Sequence, residues 1–91
     1  MTADQDDRDA GVEALERGDA RAARDYFARL LAAGKADSTV LLSLAYACSL
    51  LQDDAGKLAV LDRLLQLEPG NVRALVLKGD HFAARGDARA A

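Results

Sequence analysis

The chain has 91 residues, enough for one small domain that buries about 60–65% of its unfolded surface. Half of it is hydrophobic, Trp is absent, and a net charge of −3 offers no attraction to nucleic acid or anionic lipid. A lone cysteine, Cys48, excludes an internal disulfide, and no stretch reaches the ~20 apolar residues that span a bilayer.

Ala, Leu and Arg dominate, Pro occurs once, and long Val/Ile/Thr runs are missing, so the class is all-α. The N-terminus opens on Asp4, Asp6, Asp7 and Asp9 rather than on a basic-then-apolar leader, so no secretory signal is visible and the cytoplasm is the default expectation. Those carboxylates suit the positive end of a first helix, the alternative being an acidic docking tail. The first helix is expected over 6–17, and Gly18-Asp19 ends it and caps a second over 20–33. Gly34 stops that helix, and Ser38 can cap a third over 39–51 within the uncharged, core-like stretch 38–52. Gln52-Asp53-Asp54 leads to a fourth helix over 55–67. The Pro69-Gly70-Asn71 run ends it, and Asn71 can cap a fifth over 72–85, with a stub starting at Ala88. Apolar residues recur at helical spacing in each: Tyr26, Phe27, Leu30 and Leu31; Leu41, Leu44, Ala45 and Cys48; Leu58, Leu61, Leu64, Leu65 and Leu67; Leu75, Gly79 and Phe82.

The strongest signal is internal repetition. Arg17-Gly18-Asp19-Ala20-Arg21-Ala22-Ala23 returns unchanged as Arg85-Gly86-Asp87-Ala88-Arg89-Ala90-Ala91, an offset of twice a 34-residue helix-turn-helix period. Without gaps, the units are 4–37, 38–71 and a shortened 72–91. Short connections make neighbouring helices antiparallel. Gly11, Ala45 and Gly79 recur where helices must approach closely, as do Ala23 and Ala91.

These residues resemble the tetratricopeptide repeat. The second unit supplies Leu41, Leu44, Ala45, Cys48, Leu61, Leu64 and Pro69 at the family's positions; the third supplies Leu75, Gly79, Phe82 and Ala91; the first supplies Ala10, Gly11, Ala14, Ala23, Phe27 and Leu30. The resemblance covers nearly the whole chain and implies a right-handed superhelix of about two and a half repeats, the function of which is to bind protein. Departures are Asp7 at a bulky apolar position, so that the first helix is expected to fray or act as a cap, Lys57 at a small one, and Lys78 at a leucine. Both lysines can bury their stems and keep the ammonium in water. A second resemblance, on Leu75-Val76-Leu77-Lys78-Gly79-Asp80-His81 and Arg85-Gly86-Asp87, is to the N-terminal repeats of bacterial aspartyl/asparaginyl β-hydroxylase-like proteins. That chemistry needs an iron-binding histidine pair, and with one histidine here any such activity would lie outside this chain.

By the same resemblance, first helices line a concave groove. Its positions fall on Arg8, Val12, Leu15 and Glu16; on Thr39, Leu42, Tyr46, Ser49 and Leu50; and on Arg73, Val76, Asp80, Ala83 and Ala84. Leu42, Tyr46, Leu50 and Val76 would form an apolar strip flanked by Arg8 and Arg73, suited to an amphipathic helix or to an extended segment bearing a carboxylate. The plainer reading is that these residues only pack against neighbouring helices. A carboxylate clamp of the kind some members carry would fall on Arg8, Val12, Ser43, Arg73 and Leu77, which lack its Asn donors and third cation.

Cys48 reads as a buried structural thiol and His81 as a solvated or hydrogen-bonded histidine, with no metal-ligand spacing nearby. The two Arg-Gly-Asp triplets read as turns with caps. No phosphate loop, nucleophile elbow or carboxylate pair is present, so the expectation is a non-catalytic scaffold with no cofactor or metal, binding a protein or peptide. The alternatives are an N-terminal module of a larger bacterial enzyme, or an assembly element that dimerises through an exposed third repeat. With its second helix barely begun, that repeat would leave Leu75, Gly79 and Phe82 uncovered, as in a fragment of a longer stack or an end that pairs with another chain.

Overall fold

Among the described residues of the computed structural model five helices follow one another: α1 (Ala3–Glu16), α2 (Ala20–Ala32), α3 (Ser38–Leu50), α4 (Asp54–Leu67) and α5 (Val72–Ala84). The structure describes residues 3–84, and the side chains of 5–83. Among these there is no strand, and the class is all-α. The stub expected from Ala88, the small residue Ala91 and the second heptapeptide lie outside the described residues, as does the side chain of Ala84.

Each helix after the first opens on an Asx side chain that accepts from a backbone N–H three residues on. Asp19 takes Ala22 at 3.1 Å, Asp37 takes Val40 at 3.0 Å, Asp53 takes Gly56 at 3.0 Å and Asn71 takes Ala74 at 2.9 Å. The cap of α3 is therefore Asp37, one residue before the expected Ser38, because the helix already begins at Ser38.

Helix ends are equally regular. Gly18 and Gly34 adopt φ of 80° and 73°, and Gln52 takes the corresponding place after α3 at 59°. At all three, paired hydrogen bonds close the last turn: Asp19 N to Ala14 O and Gly18 N to Leu15 O, then Lys35 N to Leu30 O and Gly34 N to Leu31 O, then Asp53 N to Cys48 O and Gln52 N to Ser49 O. A non-glycine at this conformation is uncommon, so Gln52 carries a backbone cost that the glycines avoid.

Packing runs along the chain: α1 on α2, α2 on α3, α3 on α4 and α4 on α5, with α1 also touching α3. The body measures 48 × 26 × 17 Å. One core cluster joins Phe27, Leu30, Leu41, Leu61 and Leu64 to small residues such as Ala23, Ala45 and Ala47. Burial repeats at the 34-residue spacing. Gly11 and Ala45, Ala14 and Cys48, Phe27 and Leu61, Leu30 and Leu64, Val40 and Ala74, and Ala47 and His81 are pairs in which both members are buried.

Small residues act where helices meet. A Cβ at Gly11 would lie 2.7 Å from ring atoms of Phe27, so the missing side chain is what lets α2 seat its aromatic ring on α1. A Cβ at Gly79, the matching position of α5, would meet nothing within 4 Å. The expected close approach at Gly79 is thus not made among the described residues.

Polar contacts tie the layers. Asp7 stands at the position that was expected to fray α1, yet it lies within the helix and faces Arg29 of α2 at 3.4 Å. Arg29 also stacks over the Tyr26 ring at 5.0 Å. Lys57 and Lys78 are half-buried, and Lys78 reaches Asp62 of α4 at 2.7 Å.

Candidate interaction face

Half-exposed apolar side chains on α1, α3 and α5 supply the residues of the expected groove. Val12, Tyr46, Leu50 and Val76 are all about half exposed, a state large apolar groups seldom share along one run of positions. Leu42 and Leu15 are half-buried and pack against the core cluster. Thr39, Ser49, Glu16, Asp80 and Ala83 are exposed. Of the apolar residues expected to form the strip, Leu42 is half-buried, and Tyr46, Leu50 and Val76 are about half exposed.

The two flanking cations differ. Arg8 donates from Nη1 to Asp37 Oδ2 at 2.9 Å, linking α1 to the N-terminus of α3. The Val40 N–H, first, and the Arg8 guanidinium, second, hold the Asp37 carboxyl below its usual range. Arg8 is thus a strap rather than a free recognition group. Arg73 is exposed and forms no ion pair among the described residues. It borders an open depression of about 310 Å³ with Val72, Val76 and Leu77. Val72 was not singled out from the sequence, although it lies one residue from Arg73 and four from Val76, on the same helical side.

A second depression, of about 150 Å³, lies among Leu31, Gly34, Ala36, Leu41, Arg63 and Leu67. Sequence reading missed it, since it gathers the ends of α2 and α4 with the start of α3. The one hint was Leu67, a leucine at the very end of its helix.

The remaining candidates have structural duties. Cys48 is buried, and burial first, the Asp53 charge second, push its thiol up. His81 departs from the expectation of a solvated or hydrogen-bonded residue. Its side chain is 3% exposed, Nδ1 lies 3.9 Å from Asp54 Oδ1, and Nε2 has no partner among the described residues. The ring meets Phe82 edge-on at 5.2 Å. The reason is register: His81 takes the buried place held by Ala47 one unit earlier. Among the described residues no three His, Cys, Asp or Glu side chains gather as a metal site. The carboxylate of the first Arg-Gly-Asp triplet, Asp19, is spent on the α2 cap.

Among the described residues no helix is long and apolar enough to cross a membrane. No protein-family model, curated protein or solved structure matches the chain.

Proposed function

We propose that this chain is a non-catalytic interaction module of tetratricopeptide type, a right-handed stack of antiparallel helix pairs that receives a peptide or helix on the α1–α3–α5 face. The observation that carries this reading is the half-exposed series Val12, Tyr46, Leu50 and Val76, which lies beside a core whose burial recurs every 34 residues. The recurrence supports a repeated unit stacked by a constant step. The exposed series supports a guest, because a helix that serves packing alone exposes polar residues at such positions.

Arg73 selects among guests. With Arg8 held by Asp37, one cation remains beside the apolar depression. That combination favours a segment presenting an apolar side chain next to a carboxylate.

The test is selection of displayed random peptides on the wild-type chain, followed by binding to Tyr46→Ala/Val76→Ala. Peptides rich in apolar and acidic residues that lose at least about tenfold in affinity on the variant are expected, a change of about 1.4 kcal/mol. Selected peptides that bind both forms equally would overturn the assignment of this face.

A further inference from the structure

An ion pair of the first unit returns in the second with one member changed. In the first unit Arg29 of α2 meets Asp7 of α1 at 3.4 Å. One 34-residue step on, Arg63 of α4 keeps the cation, but Leu41 of α3 stands where the carboxylate was. Leu41 is fully buried, while Arg63 is exposed and forms no ion pair among the described residues. Both border the depression of about 150 Å³, with the half-buried Leu31 and Ala36, and with Leu67 one helical turn on from Arg63. The depression lies where, one unit earlier, an internal carboxylate satisfies the cation.

We infer that this depression binds a small monocarboxylic acid, with the carboxylate on Arg63 and a compact apolar body among Leu31, Ala36, Leu41 and Leu67. Three features select that guest. The first is charge: a guanidinium whose internal partner has been replaced by leucine takes a carboxylate from outside, and its planar fork fits one. The second is size. A cavity of about 150 Å³ holds a benzene-sized group, so a body of about five or six carbons fits. The third is polarity. Arg63 carries the only polar side chain among the six lining residues. A peptide end would lay a backbone amide against apolar walls, a desolvation cost that a free acid avoids.

The site does not rest on the peptide-binding reading, since none of Val12, Tyr46, Leu50 and Val76 lines it. One exposed ion pair and one sheltered hydrocarbon group give affinity on the order of millimolar.

The test is an NMR titration of the full chain with isocaproate to roughly 30 mM at constant ionic strength. Saturable shifts are expected at the amides of Gly34, Ala36 and Leu67. Isocaproamide, which has the same body without the charge, should bind at least about fivefold more weakly. Acetate, which has the charge without the body, should do the same, and so should isocaproate on Arg63→Gln. Leu67→Glu sets an internal carboxylate one turn from Arg63 and so mimics the first unit. It should weaken isocaproate about tenfold while leaving helical circular dichroism intact. An acetylated tripeptide ending in leucine with a free carboxyl should bind more weakly than isocaproate. Tyr46→Ala/Val76→Ala should leave the isocaproate constant unchanged, which separates this site from the α1–α3–α5 face. The inference is overturned by a titration without saturation, by amide or acetate binding as tightly as the acid, by an unchanged constant in Arg63→Gln or Leu67→Glu, or by a tighter peptide.

Discussion

Helices α3 and α5 hold the same place in successive 34-residue units, yet among the described residues α3 packs against helices on two sides and α5 against one. One set of positions is alike in both: Val40 and Ala47 are buried, and so are their counterparts Ala74 and His81. Another set is not: Leu41, Ala45 and Cys48 are buried, whereas their counterparts Leu75, Gly79 and Phe82 are exposed. The residue types are similar, so the difference comes from the neighbours. Apolar burial is a property of the stack before it is a property of the residue.

Cavity formation is the most severe way to probe that contrast. Leu41→Ala should cost about 2–5 kcal/mol in urea unfolding, and Leu75→Ala below about 1 kcal/mol when measured in dilute solution. Equal costs would mean that both forward faces are covered alike. Thiol labelling reads the same contrast at a single position. Cys48 should react with a maleimide about 100-fold more slowly than a cysteine placed by Phe82→Cys in a Cys48→Ala background, because Cys48 reacts only after local opening. Comparable rates would place Cys48 at the surface.

The glycine pair gives a change of sign. Gly11→Ala should destabilise by about 1–3 kcal/mol, since the Phe27 ring must shift. Gly79→Ala should stabilise the dilute chain by up to about 1 kcal/mol through helix propensity alone. A loss at both positions would show that α5 is packed on its open side. The smallest effect concerns the strap between α1 and α3. The Asp37 carboxyl is depressed in the folded chain, so its contribution is present above the ordinary value of 3.8 and lost as pH falls below it. Asp37→Asn should therefore flatten the acid limb of the melting curve slightly, a small change because the pair is largely exposed. Unaltered pH dependence would remove Arg8–Asp37 from the account of acid stability.

Most helix boundaries were legible because their signals are local. Gly18, Gly34, Asp19, Asp53 and Asn71 act on backbone within five residues of themselves, and all five stand where turn chemistry put them. Gln52 was not legible as a left-handed residue, since its conformation is imposed by the closing bonds of α3 rather than by its own preference. The candidate face was legible in part. Tyr46, Leu50 and Val76, which the register puts on the expected groove, are each about half exposed. Register could not show that Arg8 is occupied, because its partner Asp37 is 29 residues away and meets it only through tertiary packing. His81 was read by its polarity, and its shared position with Ala47 was the better guide.

The order of contacts in this body also governs how it comes apart. Because each helix leans almost wholly on those beside it in the chain, few distant encounters must be made before structure is gained, and assembly should be quick. Dissolution should likewise travel like a zip, starting at α5, which among the described residues leans on α4 alone, while the first four helices still hold.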